Sequence, residues 1–199
     1  MMHSLFIKGG FLMWPIVLCS VISLTIILER FYYFNKTRPK TKNLPERVNL
    51  LLKNNKVEDA FLVADKDKSF LGRFLCVGLK ITNQPIEEKQ KFLRRAGSRE
   101  LEQADARLRV LSVIGNISTL LGLTGTVTGM IQTFMKIEKI GGIAEVSVLA
   151  GGIWEALLTT AAGLFVAIPT LIFYHYFEGV VDNRAIQMKN ISSDIFNIH

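Results

Sequence analysis

Glu155 is the one charged residue in a run of 29, Val146 to Tyr174. A carboxylate in hydrocarbon is costly and faces a bundle interior or a cavity. Such a group can take up and release a proton, so it could join a proton path. It could equally be a structural acid that bonds across a helix interface or fixes the register of an oligomer. Thr159 follows one turn later on the same helical face and Gly163 one turn further, while Thr160 lies on an adjacent face. Gly151 and Gly152 permit close approach just before it. Pro169, towards the other end of the run, is expected to bend the helix, with Thr170 able to help satisfy freed carbonyls.

A second constellation precedes it. Ser112, Thr119, Thr126 and Thr133 recur every seven residues, and Gly115, Gly122 and Gly129 recur at the same interval, three residues out of phase. Residues three, four and seven apart share a helix face. Gly125 and Gly129 add a small-x-x-x-small pair. Two readings fit and both can hold. Small residues permit close helix packing in lipid, and a polar stripe can line a narrow path. A threonine alone is weak support for a path, because its hydroxyl can bond a carbonyl of its own helix.

Three apolar runs must position these residues. Gly9 to Leu28 is 20 residues without a charge, Val110 to Met135 is 26, and the Glu155 run is the third. About 20 apolar helical residues cross a bilayer core. The chain is therefore predicted to be all-α, a polytopic membrane protein with three transmembrane helices, two of them extending far into the cytoplasm. The first run is a poor secretory signal: it is long, lacks a small-residue cleavage site and leads straight into Glu29-Arg30-Phe31-Tyr32-Tyr33, a boundary pattern of charges beside aromatic rings.

Charge gives the orientation. Arg30 to Arg109 holds 19 Lys/Arg against 10 Asp/Glu, whereas Lys136 to Glu145 is balanced. Basic residues close to a membrane stay in the cytoplasm. The expected order is a periplasmic N-terminus (1–10), transmembrane helix 1 (11–30), a cytoplasmic helical loop (31–85), a long helix whose cytoplasmic part leads into transmembrane helix 2 (86–135), a periplasmic loop (136–145), transmembrane helix 3 (146–177) and a cytoplasmic helical tail (178–199). The basic excess suits anionic lipids, and no nucleic-acid reader motif accompanies it.

Within this order, Gly9-Gly10 marks the start of the first span, and Pro15 is expected to kink it or break its first turn. Leu44 to Lys53 presents Val48, Leu51 and Leu52. Asn55 with Glu58 forms a capping box for a helix with Val57, Phe61 and Ala64 on one stripe. Ser69 caps a helix anchored by Phe70, Phe74, Val77 and Leu79, and Asn83-Gln84-Pro85 breaks it. From Pro85 to Met135 one continuous helix is expected, on the order of 75 Å long. The tail offers Val180, Val181, Ile186, Ile191 and Ile195 for packing.

Cys19 and Cys76 make no metal pattern, the histidines are scattered, and no cofactor motif is present. No enzyme domain is expected. Three helices with a single intramembrane acid enclose little, so a closed homo-oligomer is the ordinary solution, its lumen completed by water or by a second component with another ionisable group. Composition suits sodium nearly as well as protons.

The residues also resemble the ExbB/TolQ/MotA proton-channel family, most closely its ExbB and TolQ side. The likeness follows the chain in order: Gly9-Gly10 to Met13-Trp14-Pro15, Glu29-Arg30, Leu120-Leu121-Gly122-Leu123-Thr124-Gly125-Thr126-Val127-Thr128-Gly129, and Gly152-Ile153-Trp154-Glu155-Ala156-Leu157-Leu158-Thr159-Thr160-Ala161-Ala162-Gly163, continuing to Pro169 and Tyr174. The resemblance implies a pentameric ring in the inner membrane of a Gram-negative bacterium. It implies two copies of an ExbD/TolR-like single-span protein in the pore, whose intramembrane Asp is the main proton carrier. It also implies a TonB/TolA-like periplasm-spanning partner that turns proton-motive force into work on the outer membrane. The family's functional acid falls on Glu155 and its two pore-facing threonines on Thr126 and Thr160. Thr119 stands where the family often has proline. The alternative, from another class, is a non-conducting oligomeric membrane scaffold for an envelope complex.

Overall fold

The computed structural model describes residues 11–41, 43–81, 84–139 and 146–196. Its elements are α1 (Met13–Lys36), α2 (Leu44–Lys53), α3 (Val57–Lys66), α4 (Phe70–Lys80), α5 (Ile86–Asp105), α6 (Leu108–Lys139) and α7 (Val146–Phe196). The described chain is all-α, with three helical stretches long and apolar enough to cross a membrane. It divides into two compact units, one of Met1–Leu28 and Arg109–His175, the other of Glu29–Leu108 and Tyr176–His199.

In the first unit α1 buries Met13, Ile16, Ser23, Ile26 and Ile27, and leaves Trp14, Leu18, Val21, Leu24 and Leu28 exposed. Pro15 is the third residue of α1. First-turn N–H groups have no intrahelical acceptor, so its missing donor costs nothing there. Of the two expectations, a kink or a broken first turn, the helix bounds place Pro15 in the first turn of a helix that begins at Met13. Gly9-Gly10 lies outside the described residues. Thr170 is buried and its Oγ1 donates to the Val166 carbonyl at 2.7 Å, next to the Phe165 carbonyl that Pro169 leaves without an amide.

The second unit has its own core: Leu44, Val48 and Leu52 of α2, Ala60 and Ala64 of α3, Phe70, Phe74, Leu75 and Leu79 of α4, Leu93 of α5, and Met188 and Ile191 of α7. Ser69 caps α4 as its sequence position predicts, accepting from the Gly72 N–H at 3.2 Å. The capping box at Asn55 does not form. Asn55 adopts φ 55° and donates its N–H to the Leu52 carbonyl, ending α2, and α3 starts after Lys56 with no side-chain cap. Val57 is 41% exposed, and Ala60 takes the core place expected of it. In the tail, Ile186 is 56% exposed, while Phe177, Arg184, Met188 and Ile191 form the buried stripe. The Ile195 side chain lies outside the description.

The helix expected from Pro85 to Met135 runs from Ile86 to Lys139, its hydrogen-bond ladder interrupted for two residues at Ala106-Arg107, where Ala106 keeps right-handed helical dihedrals. Arg30 accounts for the interruption. Its side chain is buried, and Nη1 donates to the carbonyls of Gln103 (3.1 Å) and Ala104 (2.9 Å). In an unbroken helix those carbonyls would accept from the amides of Arg107 and Leu108. The guanidinium competes for both acceptors at the point where the ladder stops. Glu29 pairs with Arg30 at 2.7 Å and with Arg107 at 3.2 Å, drawing the same turn together.

Candidate functional site

In the first unit the seam between α6 and α7 sets the geometry. On α6, Gly115, Ser118, Gly122, Gly125 and Gly129 alternate steps of three and four, the spacing that keeps one face on a partner helix. They meet α7 in antiparallel order: Gly115 against Leu171, Ser118 and Gly122 against Gly163, Gly125 against Thr159, Gly129 against Ala156, and Thr133 against Gly152. A Cβ built on Gly163 would stand 2.6 Å from the Ser118 carbonyl oxygen and 2.9 Å from the Gly122 Cα. Here backbones touch, which only glycine permits.

The seam places Glu155 half-buried on α7, one residue before the Ala156 that packs on Gly129. Two clefts flank it. One, of about 260 Å³, is lined by Thr124, Thr128 and Gln132 of α6 with Glu155 and Thr159. The other, of about 360 Å³, is lined by Thr133, Lys136, Ser147 and Glu155. Thr124, Thr128 and Gln132 were not singled out by the seven-residue pattern. Their spacing of four is a legible signal, and it points at the same carboxyl.

The predicted hydroxyls are distributed as follows. Thr159 is buried and donates to the Glu155 carbonyl at 3.1 Å. Thr133 is buried and donates to the Gly129 carbonyl at 2.8 Å. Thr126 is half-buried and donates to the Leu123 carbonyl at 2.6 Å. Thr119 is exposed and donates to the Gly115 carbonyl at 3.2 Å. Thr160 reaches across the seam and donates to the Gly122 carbonyl at 2.7 Å. Thr133 and Thr159 thus share clefts with Glu155, whereas Thr119, Thr126 and Thr160 line neither. Pro169 lies further along α7, exposed.

One chemical property follows from these bonds. Each of these hydroxyls, and those of Thr124 and Thr128, gives its proton to a backbone carbonyl. A hydroxyl has one proton and two lone pairs, so what it offers beyond the helix is acceptor oxygen. These hydroxyls favour a proton donor or a bare cation, while Gln132 and Lys136 add donors to the two clefts.

Residues 66–190 match the MotA/TolQ/ExbB proton channel family. An ExbB-like biopolymer transport protein of Synechocystis sp. is 32% identical over 96% of this chain and 76% of its own length. Biopolymer transport protein exbB1 of Vibrio cholerae is 28% identical over 81% of this chain and 72% of its own length. The Tol-Pal system protein TolQ of Haemophilus influenzae is 27% identical over 86% of this chain and 82% of its own length.

Proposed function

The chain belongs to the MotA/TolQ/ExbB proton channel family, and from that premise we propose that it is the ring subunit of a proton-driven motor in the inner membrane of a Gram-negative bacterium. Several copies, five by analogy, surround a single-span ExbD/TolR-like partner with an intramembrane Asp, two copies of it in the pore. Protons move between that acid and the ring. The resulting motion is passed to a TonB/TolA-like periplasm-spanning protein for outer-membrane transport or envelope maintenance. No substrate bond is broken, so the chain is a transducer and not a metabolic enzyme. The N-terminus faces the periplasm and the C-terminus the cytoplasm.

The observation that carries this reading is Glu155 between two clefts whose threonine hydroxyls have given their protons to backbone carbonyls. A protonated partner acid needs acceptors for its O–H, and it needs a second group that can exchange a proton. The hydroxyls answer the first need and Glu155 the second. Thr126 and Thr160 enter by family position, their lone pairs still available after their protons are committed. One charge crossing gains about 2.3 kcal/mol per 100 mV, so each crossing drives a small step.

The test is proton uptake into liposomes carrying the full chain with and without its acidic partner. Uptake should need the partner and fall at least about tenfold in Glu155→Gln and in Thr126→Val. Equal leak in all preparations would refute the motor. The scaffold reading has one observation in its favour: the Thr160 hydroxyl is used to join α6 to α7. It requires instead that Glu155→Gln lower the yield of assembled complex and that proton-motive force be dispensable.

A further inference from the structure

A second candidate site lies wholly in the second unit, away from Glu155. Arg184 of α7 is 6% exposed. Its guanidinium lies over the rings of Phe34 and Phe70, 4.7 and 4.5 Å from their centroids. One terminal nitrogen, Nη2, donates to Thr37 Oγ1 at 2.8 Å and to the Phe34 carbonyl at 3.4 Å. No carboxylate forms an ion pair with it among the described residues; Glu100 is held by Arg73 at 2.6 Å. Burial opposes its charge, pushing its pKa below the ordinary arginine value, with Tyr33 and Glu100 pulling the other way. A buried cation without a counter-ion is expensive, and arginine does not escape by losing its proton.

Arg184 is also part of the wall of a cleft of about 790 Å³, together with Arg38, Asn35, Asn183 and Gln187. Phe31, Tyr32 and Tyr176 form another part of that wall. These rings come directly after the apolar runs that end at Leu28 and Tyr174, in the position where aromatic side chains sit at headgroup level. The cleft therefore combines two arginines, neutral amide donors and interfacial rings. Arginine's planar fork suits phosphate oxygens, and charge-assisted bonds of this kind are the strong ones.

We propose that this cleft binds the phosphate of an anionic phospholipid headgroup, with Arg184 as the buried anchor and Arg38 as the outer clamp. The phosphate supplies the missing counter-charge, and Asn35, Asn183 and Gln187 are placed to donate to the remaining headgroup oxygens. This assignment does not depend on proton conduction.

The experiment is native mass spectrometry and thermal unfolding of the full-length protein in mild detergent, titrated with phosphatidylglycerol. The same-chain diacylglycerol and inorganic phosphate serve as separate arms. Wild type should retain phosphatidylglycerol and be stabilised by it, and diacylglycerol should do neither. Arg38→Gln changes an exposed side chain, so the fold should persist while affinity drops several-fold. Arg184→Lys keeps the charge but loses the fork, and Arg184→Gln loses both. Affinity should fall in that order, by about tenfold or more for the second. If Arg184→Gln does not fold, the Arg38 and Lys variants decide. Retention unchanged in both, or equal retention of diacylglycerol, overturns the site. Competition by millimolar inorganic phosphate with no preference for the diacyl ligand overturns the lipid assignment in favour of a soluble phosphate.

Discussion

Gly163→Ala is the sharpest perturbation of the α6–α7 seam, because its effect should oppose that of the same exchange at Gly151. Alanine favours a helix over glycine by up to about 1 kcal/mol. At Gly151 nothing lies within 4 Å of the added Cβ, so that gain stands alone. At Gly163 the Cβ meets the Ser118 carbonyl oxygen at 2.6 Å and the Gly122 N and Cα at 3.1 and 2.9 Å. Those are backbone atoms of a helix and cannot rotate away. Relief to ordinary contact parts the two helices by roughly 0.5–1 Å, a gap that forfeits a quarter to a half of the dispersion at each contact it opens. The Thr160–Gly122 bond, 2.7 Å long, stretches with it. Overpacking costs about 1–3 kcal/mol and a lost hydrogen bond about 1 more. Gly163→Ala should therefore be less stable than wild type by about 1–3 kcal/mol, and Gly151→Ala equal or more stable. The assay is SDS-induced unfolding of the full chain in mixed micelles, followed by circular dichroism. A Gly163→Ala protein as stable as Gly151→Ala would show that the backbones do not meet there.

Three further outcomes test the second unit. Gly72→Ala would drive a Cβ into the Asp67 carbonyl oxygen, with the Ala64 oxygen at 2.7 Å; the loss should exceed about 3 kcal/mol and appear as rapid proteolysis between α2 and α5. Asp67 accepts from the amides of Thr41 (2.9 Å) and Ser69 (3.1 Å). Burial pushes its pKa up, but these bonds outweigh it and hold the carboxyl below its ordinary 3.8. The depressed value means that its stabilisation is complete above pH 3.8 and is lost as pH falls through the lower folded value. Asp67→Asn should be less stable near neutrality and should lack that acid-limb loss in pH-dependent denaturation. Arg30→Met frees the carbonyls of Gln103 and Ala104. Hydrogen exchange at the Arg107 and Leu108 amides should slow as the ladder closes, while global stability falls by about 2 kcal/mol. Faster exchange there would refute the account of the interruption.

What the sequence made legible was local. Glycines three and four apart on α6 announce a close-packed face, and that face is where α7 lies. The seven-residue hydroxyl series was harder to read. A straight helix drifts about 20° per heptad, so Thr119, Thr126 and Thr133 stay within about 40° of one face, yet they differ in exposure because what packs on that face changes along α6. The first is exposed, the second half-buried, the third buried against Gly152. Thr124, Thr128 and Gln132 line one cleft, although each step of four turns a helix about 40° past a full turn. Capping at Ser69 was readable because the motif is self-contained. Asn55 defeated the same logic, since asparagine also tolerates the left-handed conformation that ends a helix. The interruption of the ladder between α5 and α6 and the Arg184 cleft were not readable at all. Arg30 acts on carbonyls 73 and 74 residues away, and Arg184 bonds to Thr37 across 147.

The economy of charge inside the apolar runs bears on how such a chain could work. Glu155 is the only carboxyl in the three runs, and the threonines around it have committed their protons to backbone carbonyls. Acceptor oxygens steady a donor that arrives from elsewhere but cannot pass a proton onward unless they first break those bonds. Under the proposed function, transfer through this chain alone would stop at Glu155. On that reading the second acid is the partner's, and it approaches in its protonated form to be met by the threonine acceptors. The proposed function then puts the moving charge on the partner and gives this chain a fixed lining with one intramembrane carboxyl. A rigid seam serves such a role, because hydroxyls held by their own helices against packed glycine backbones do not reorganise when the donor passes.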